Sequence, residues 1–165
     1  MRKFEFVSRL QNEGIAINDN GILKNEKGML KLPERSTKNS AGYDFFNLER
    51  VEIPPYQIGD NPVMVRTGIK VEMPNDEFLM LVNRSSNPKK KKLVIPNSLG
   101  IVDADYYNNP DNEGEMMFAF YNVSKGTVVI EAGEKLGQGI FVKFGIVDDD
   151  NAEGTRQGGF GSTGK

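Results

Sequence analysis

The chain has 165 residues, which favours a single domain with a sizeable core, and a net charge of −2 from 21 basic and 23 acidic side chains. Without a basic excess, the protein is a poor candidate for binding long DNA or RNA, although a small charged ligand remains open. The absence of cysteine and histidine excludes disulfides, thiolate or histidine metal sites and Ser-His-Asp triads.

The N-terminal segment contains no apolar run as long as a signal peptide, and no run in the chain approaches the length of a membrane span. We therefore expect a cytoplasmic protein that is not associated with a membrane. Residues 8–31 show no clear periodicity, and we interpret them as a loop or hairpin insertion.

The clearest periodicity is two, which is the repeat of a half-buried strand. Between Val63 and Met73 the odd positions are Val, Ile, Met or Thr, whereas most even positions are polar. Further strands are predicted at 77–82, 116–123, 127–131 and 135–147. Many short strands separated by Gly and Pro predict an all-β sandwich, jelly roll or barrel.

One helical turn is predicted after the strand at 77–82, with Asn87 as its N-cap and Pro88 at its first position. The following Lys89–Lys92 run would attract a triphosphate, but such a run is more often a solvated face.

Three stretches carry polar side chains that suit a phosphate site. Asp44 could reach a metal-bound water, or it could be an ordinary surface Asp beside a strand. Arg84, Ser85 and Ser86 follow a predicted strand, where they could bind phosphate or cap a helix. Gln138 lies on a predicted strand and, taken alone, could be a simple edge residue.

The stretch NSLGIVDADYYNN, residues 97–109, is the most informative in the interior of the sequence. Ile101 and Val102 are predicted to be buried, so that Asp103 would be partly desolvated and more basic. Because the chain has no histidine, Asp103 is the candidate that takes a proton from water, and a metal would be a hard ion such as Mg²⁺. The alternative is a turn whose Asp residues bind their own backbone.

The chain ends in GGFGSTGK, which resembles a P-loop from Gly159 onwards. We reject a P-loop because no Ser or Thr follows the Lys and no helix follows the glycines. Glycine N–H groups, the Arg156 guanidinium and the Phe160 ring instead favour a tail that orders over a nucleotide. The alternative is a frayed terminus.

Five of these stretches, in this order, resemble the five motifs of the trimeric dUTPase family: AGYD, RSS, N-x-x-G-x-x-D-x-D-Y, GEKLGQ and GGFGSTG. The resemblance implies a jelly-roll-like β-barrel subunit, residues 1–155, with a flexible glycine-rich arm, residues 156–165. It also implies a homotrimer with sites shared between subunits. The implied reaction is hydrolysis of dUTP to dUMP and pyrophosphate with Mg²⁺, which keeps uracil out of DNA and supplies dUMP for dTMP synthesis.

The resemblance implies a role for each matching residue. Asp103 would activate the attacking water, and Asp44 would hold Mg²⁺ through its water shell. Tyr106 would leave no room for a 2′-hydroxyl group, and Phe160 would stack on uracil. Phosphate would be bound by Arg84, Ser85, Ser86, Gln138, Arg156, Gly161, Ser162 and Thr163. Uracil and deoxyribose would be bound by Asn97, Gly100, Ile101, Val102, Tyr106 and Phe160.

The chain departs from the family pattern at several positions. Asn83 stands where the family often has Gly or Pro, and Gly137 and Gly139 replace Ala and an aliphatic residue. Arg156 precedes Phe160 by four residues, one fewer than usual, which puts its γ-phosphate role in doubt.

The sequence is also longer than the family pattern at residues 107–113 and before the first motif. These two insertions suggest a phage-type member of the family, and they offer surfaces for a regulatory protein partner. Two other functions remain open: a dCTP deaminase on the same scaffold, and a nucleotide-sensing binding protein with slow or lost catalysis.

Overall fold

A computed structural model of the chain describes residues 1–17, 23–25, 28–156 and 158–159. Within these residues the regular structure is almost entirely β-strand, which confirms the all-β prediction. The strands are β1 Lys3–Phe6, β2 Ala16–Ile17, β3 Leu23–Asn25, β4 Gly28–Leu30, β5 Glu34–Arg35, β6 Tyr43–Phe46, β7 Val51–Ile53, β8 Val63–Arg66, β9 Ile69–Glu72, β10 Glu77–Asn83, β11 Leu93–Val94, β12 Leu99–Asp103, β13 Met117–Asn122, β14 Val128–Ile130 and β15 Lys135–Lys143.

Helical structure in the described part is limited to short segments. These are the α-helix α1 Arg9–Asn12, a π-helical turn Asn87–Lys91 and a 3₁₀ turn Ala104–Tyr106. In the described residues no helix has the length and apolar character needed to span a membrane.

The largest sheet has five strands in the order β12-β10-β15-β6-β5. Smaller sheets have the orders β11-β13-β8, β2-β3-β4, β1-β9 and β14-β7. All of these strand pairs are antiparallel. β12 is an edge strand of the five-stranded sheet, a position that matters for the site described below.

The predicted strand between Val63 and Met73 is two strands, β8 and β9, with a break at Thr67 and Gly68. Gly68 has a φ of +70°, which strand residues with a side chain rarely adopt. The two halves pair with different partners, β8 with β13 and β9 with β1. The period-two pattern therefore predicted burial correctly but not the break.

One main core joins the five-stranded sheet to the smaller ones, and phenylalanine rings fill its centre. Gly137 and Gly139 on β15 make room for these rings. A Cβ on Gly137 would overlap the Phe118 ring, and a Cβ on Gly139 would lie 2.7 Å from Cε2 of Phe45. The two glycines that depart from the family pattern are thus explained by the bulky rings opposite them.

The segment 8–31 begins with α1, which the sequence did not predict because four residues are too few to show helical periodicity. Leu10 of α1 is buried in a second cluster with Val7, Leu30, Phe46 and Leu48. The small sheet β2-β3-β4 agrees with the hairpin interpretation of the remainder.

The helical turn predicted near Pro88 is present, but its cap is Ser86 rather than Asn87. Asn87 is buried, and its Nδ2 donates to the Asn83 side chain at 2.9 Å and to the Leu136 carbonyl at 2.7 Å. Asn83 also donates to the Leu93 carbonyl at 3.0 Å. Asn83, which departs from the family pattern, therefore ties the end of β10 to its neighbours.

Candidate functional site

The first part of the site lies where β6 and β15 pair, with Asp44 opposite Gln138. Gln138 Nε2 donates to Asp44 Oδ1 at 3.0 Å. The Gln138 side chain lies over Gly42, where a Cβ would come within 3.0 Å of it. The Gly of AGYD is thus required for the close approach of the glutamine.

Asp44 is not a surface residue, since only 2% of it is exposed. Its Oδ2 accepts hydrogen bonds from Lys135 Nζ at 2.6 Å and from Ser36 Oγ at 2.8 Å. Burial raises the pKa of Asp44, but the hydrogen bonds from Lys135, Ser36 and Gln138 outweigh burial and hold the pKa below its ordinary value of 3.8. Asp44 is therefore a charged carboxylate satisfied by protein donors.

This arrangement does not provide a ready metal site. In the part of the chain that the structure describes, no group of three or more acidic side chains could hold a metal ion. The Asp44 charge is already balanced by Lys135, with which it forms an ion pair. As placed here, Asp44 does not fit a ligand of Mg²⁺, and its link to Mg²⁺ through water stays a prediction.

Arg84, Ser85 and Ser86 lie between the end of β10 and the π-helical turn. Ser86 occupies the cap position without a side-chain capping bond, so the capping alternative is wrong for this residue. The Arg84 guanidinium forms no ion pair or hydrogen bond with the described residues. This leaves its donors available to an anion. We call Asp44, Arg84, Ser85, Ser86 and Gln138 the phosphate-side cluster.

The second part of the site is a cavity of about 580 Å³ beside the edge strand β12. Its volume falls within the usual range for small-molecule sites, about 300–1,000 Å³. The cavity brings together the predicted residues Asn97, Gly100, Ile101, Val102, Asp103, Tyr106 and Arg156. We call it the nucleoside cavity.

The turn that carries Asn97 is tight, with Ser98 N donating to the Ile95 carbonyl and a φ of 66° at Ser98. The strands on either side, β11 and β12, pair with β13 and β10 and not with each other. The segment between β11 and β12 is therefore a turn between two sheets, which places the exposed Asn97 at the cavity rim.

Ile101 is 52% exposed, so the prediction that it is buried is wrong, whereas Val102 is 8% exposed as expected. The two residues alternate across an edge strand, which turns Ile101 towards solvent and Val102 towards the core. The side chain of Asp103 is 47% exposed, so it is only partly desolvated, as predicted. Asp103 begins the 3₁₀ turn without capping it, which argues against the turn alternative.

Arg156 forms ion pairs with two carboxylates, Asp103 and Asp105. Its Nη2 donates to Asp103, and its Nε donates to Asp105 Oδ1 at 2.7 Å. The arm residue that the family pattern assigns to phosphate thus forms an ion pair with the candidate base.

Tyr106 is 7% exposed and lines the cavity. Burial raises the pKa of Tyr106, and the hydrogen bond from Asn112 lowers it less than burial raises it. Gly159 lies against the ring, since a Cβ there would be 2.5 Å from Cε2 of Tyr106. The beginning of the arm therefore lies on the cavity of its own chain, and closure over another subunit stays a prediction.

Asp103, at one end of the nucleoside cavity, and the phosphate-side cluster lie towards opposite ends of β10. Asp103 pairs with Phe78, while Gln138 pairs with Val82 and Arg84 follows two residues later. At about 3.4 Å per residue, Arg84 lies roughly 20 Å along the strand from Asp103. None of the cluster residues lines the cavity. One chain therefore does not bring all the predicted residues together.

Some residues of the site escaped the sequence analysis. Lys135 and Ser36 hold Asp44, and no spacing rule connects them to it before the strands are paired. Met64 and Met117 line the cavity from β8 and β13. The outward phase of the period-two pattern could have identified Met64. Of the predicted arm residues, Phe160, Gly161, Ser162 and Thr163 lie outside the described residues.

Comparison with known proteins agrees with the motifs. The dUTPase family model matches residues 29–164. The chain is 45% identical over 166 residues to the deoxyuridine 5′-triphosphate nucleotidohydrolase of Lactococcus lactis subsp. lactis, covering 99% of this chain and 98% of that protein. The fold is similar to the crystal structure of dUTPase from Streptococcus mutans, with a TM-score of 0.72, 41% identity and coverage of 88% of this chain and 98% of that one.

A phage enzyme is also similar in fold. The dUTPase from phage phi11 of S. aureus has a TM-score of 0.65 at 22% identity, covering 93% of this chain and 97% of that one. This likeness concerns the fold alone, so the phage-type relationship stays a prediction. The jelly-roll-like β fold is confirmed. Because the family model matches most of the length of this chain, the chain belongs to the dUTPase family.

Proposed function

We propose that the protein hydrolyses dUTP to dUMP and pyrophosphate. The observation that supports this most strongly is the nucleoside cavity, which collects the predicted base-reading, sugar-packing and water-activating residues in one place. The names of the Lactococcus lactis and Streptococcus mutans proteins support the same substrate. The activity would keep uracil out of DNA and supply dUMP for dTMP synthesis in the cytoplasm.

Uracil would be read at the edge of the sheet. Because β12 pairs with β10 on one side only, the backbone groups on its outer side are not used by the five-stranded sheet. These groups near Gly100 and Ile101, together with the exposed Asn97 side chain, supply the donors and acceptors that a pyrimidine edge requires. Tyr106 would pack against the deoxyribose.

Asp103 would act as the general base. Its carboxylate takes a proton from a water molecule as the water oxygen forms a bond to the α-phosphorus. The bond from the α-phosphorus to the bridging oxygen breaks, and pyrophosphate leaves with that oxygen. For this step the ion pair between Arg156 and Asp103 must open, and the phosphates compete for the guanidinium.

The distance between Asp103 and the phosphate-side cluster supports a site shared between copies of the chain. A triphosphate held by Asp103 and Tyr106 of one copy would meet Arg84 and Gln138 of a second copy. This is the arrangement of a homotrimer with three equivalent sites. Gly161, Ser162 and Thr163 would close over the phosphates from an arm formed by residues 156–165, and Phe160 would stack on uracil.

Mg²⁺ would neutralise phosphate charge when it is bound with the nucleotide. Because Asp44 is satisfied by protein donors, we derive no step of the reaction from the ion. A regulatory protein partner stays a prediction that rests on the insertions alone.

The test is pyrophosphate release from dUTP, UTP, TTP and dCTP, with and without Mg²⁺. We expect release from dUTP to be far faster than release from the other three nucleotides. In ¹⁸O-labelled water, the label should enter dUMP because the attack is at the α-phosphorus. Formation of dUTP from dCTP would favour the deaminase alternative, and binding of dUTP without turnover would favour the nucleotide-sensing alternative.

The matched variants are Asp103→Asn and Asp105→Asn, because both carboxylates contact Arg156. Asp103→Asn should lower turnover about 10²-fold or more while dUTP still binds, since it removes the base. Asp105→Asn should lower it far less. Near-normal turnover by Asp103→Asn would remove Asp103 from this role.

A further inference from the structure

We infer that Asn112, in the insertion after the third motif, is a positioning residue that holds Tyr106 against the sugar and sets discrimination between deoxyribose and ribose. The inference rests on the proposed function, because Tyr106 contacts a sugar only if the cavity binds a nucleotide. Its basis is a set of contacts that the insertion makes with the hydroxyl group of Tyr106 and with the backbone carbonyl of Tyr106.

Among the described residues, two partners hold the hydroxyl group of Tyr106. Asn112 Nδ2 donates to the Tyr106 Oη at 2.7 Å, and the Tyr106 Oη donates to the Glu115 carbonyl at 3.2 Å. The Asn112 amide therefore fixes the far end of the ring from the side of the insertion.

The backbone of Tyr106 is held by the same loop. Asn109 donates to the Tyr106 carbonyl from its backbone N at 3.3 Å and from its Nδ2 at 3.0 Å. Gly114, with a φ of +83°, packs so closely that a Cβ would lie 2.5 Å from the Tyr106 carbonyl oxygen. The ring is thus restrained at its hydroxyl and at its backbone.

The loop itself is rigidly built. Asn112 Oδ1 accepts from Asn109 Nδ2 at 2.8 Å and from the Gly114 backbone N at 3.0 Å. The Glu113 carboxylate accepts from the backbone N of Ser8 and of Arg9, both at 2.9 Å. The insertion is therefore anchored to the start of the N-terminal helix α1.

The next residues complete this anchor. Glu115 is fully buried, and its carboxylate binds Arg9 and Arg66 as well as the backbone N of Gly68. Each of these partners lies outside the insertion. Movement of the insertion would break this buried charge network. The backbone of Asn112 is therefore held in one position, from which its side chain restrains the Tyr106 ring.

A restrained ring matters for sugar choice. A 2′-hydroxyl group adds one oxygen at the face of the sugar that Tyr106 covers, and a fixed ring cannot tilt to accommodate it. Two side-chain torsions would allow the tilt once the hydroxyl is released. Loss of the Asn112 hydrogen bond should therefore admit UTP with little effect on dUTP.

The experiment compares kcat/KM for dUTP and UTP in the wild type, Asn112→Ala, Tyr106→Phe and the double variant. Each single variant should raise the UTP/dUTP ratio of kcat/KM by about three- to tenfold, which is the usual effect of one neutral hydrogen bond. The double variant should show no rise beyond that of Tyr106→Phe, because that change already removes the hydrogen bond from Asn112. In Asn112→Ala the kcat for dUTP should change little.

Asn108→Ala is the matched control. Asn108 lies in the same insertion with a φ of 57°, and its side chain accepts from Lys70 Nζ at 2.6 Å. Among the described residues it forms no hydrogen bond with Tyr106. Alanine is strained at this φ, so the variant weakens the loop without releasing the ring. It should lower the melting temperature and leave the UTP/dUTP ratio at the wild-type value.

Several results would overturn the inference. An unchanged ratio in Tyr106→Phe would do so even if Asn112→Ala did not fold. Additive effects in the double variant, or an equal rise in Asn108→Ala, would show that loop stability and not the Tyr106 hydroxyl is responsible. If the wild type released no pyrophosphate from dUTP, the proposed function would fail, and the inference with it.

Discussion

At the scale of single residues, Asp44 shows how the five-stranded sheet positions the side chains of the phosphate-side cluster. Its carboxylate is 2% exposed, and each of its oxygens accepts at least one hydrogen bond. The hydrogen bond that holds the Gln138 side chain in place therefore also stabilises the negative charge of Asp44 in the protein interior. Such a group must be ionised for the protein to keep its full stability.

Asp44→Asn should lower the free energy of unfolding by about 1–3 kcal/mol at pH 7, because it weakens hydrogen bonds to a buried charge. The pKa of Asp44 is lowered in the folded state, so its contribution is present above its ordinary pKa of 3.8 and is lost as the pH falls through the lower folded value. Urea unfolding of the wild type and the variant at pH 7 and below pH 4, at one protein concentration, should show the difference shrinking.

Asp76→Asn is the control for this prediction. Asp76 pairs with Lys143, but both side chains are well exposed. Surface pairs of this kind contribute little to stability. A loss at pH 7 as large as that of Asp44→Asn, or a difference for Asp44→Asn that does not depend on pH, would contradict the account of the buried carboxylate.

At this scale the sequence predicted residue types well and their environments less well. Asp103, Asn97 and Tyr106 all line the nucleoside cavity. The prediction that Ile101 is buried and the alternative that Asp44 is a surface residue were both wrong. The exposure of each side chain depends on which strand pairs with its segment. Residues that act through a partner distant in sequence, such as Lys135 with Asp44, leave no local pattern.

At the scale of elements, β15 shows how two departures from the family pattern are compensated. Gly137 and Gly139 leave space that the Phe118 and Phe45 rings fill. The strand can then keep its register against β10 and β6, which is what places Gln138 beside Asp44.

Gly137→Ala should destabilise the protein by about 1–3 kcal/mol, although alanine is common at this position in the family, because the added methyl group overlaps Phe118. Thermal unfolding measures the effect. Combining the change with Phe118→Leu should recover part of the loss. Gly126→Ala, where a Cβ would meet nothing within 4 Å, should be close to neutral. Equal effects at the two glycines would contradict the packing argument.

Long strands with clear alternation could be predicted from the sequence, whereas most short elements could not, the three-residue β14 within the strand predicted at 127–131 being an exception. The strand predicted at 77–82 corresponds to β10, and the one at 116–123 to β13. Strands of two to four residues, and the four-residue α1, offer too few positions for a period to appear. They form because tertiary contacts hold them, as Glu113 does at the start of α1.

At the scale of the whole molecule, the described chain contains two partial sites. Asp103 and Tyr106 lie at one end of the five-stranded sheet, and Arg84 and Gln138 lie at the other. Sequence motifs could predict which residues take part, but the order of motifs along a chain does not tell which of them meet. That requires the strand register and, in our proposal, a second copy of the chain.

The most direct test of this central claim is subunit complementation between Asp103→Asn and Arg84→Ala, each nearly inactive alone. Equal amounts are unfolded together, refolded and assayed for pyrophosphate release from dUTP. If each site takes Asp103 from one copy and Arg84 from another, random mixing should restore about a quarter of the wild-type rate. If the mixture is no more active than the two variants measured separately, both residues serve one chain's site, and the shared-site account is wrong.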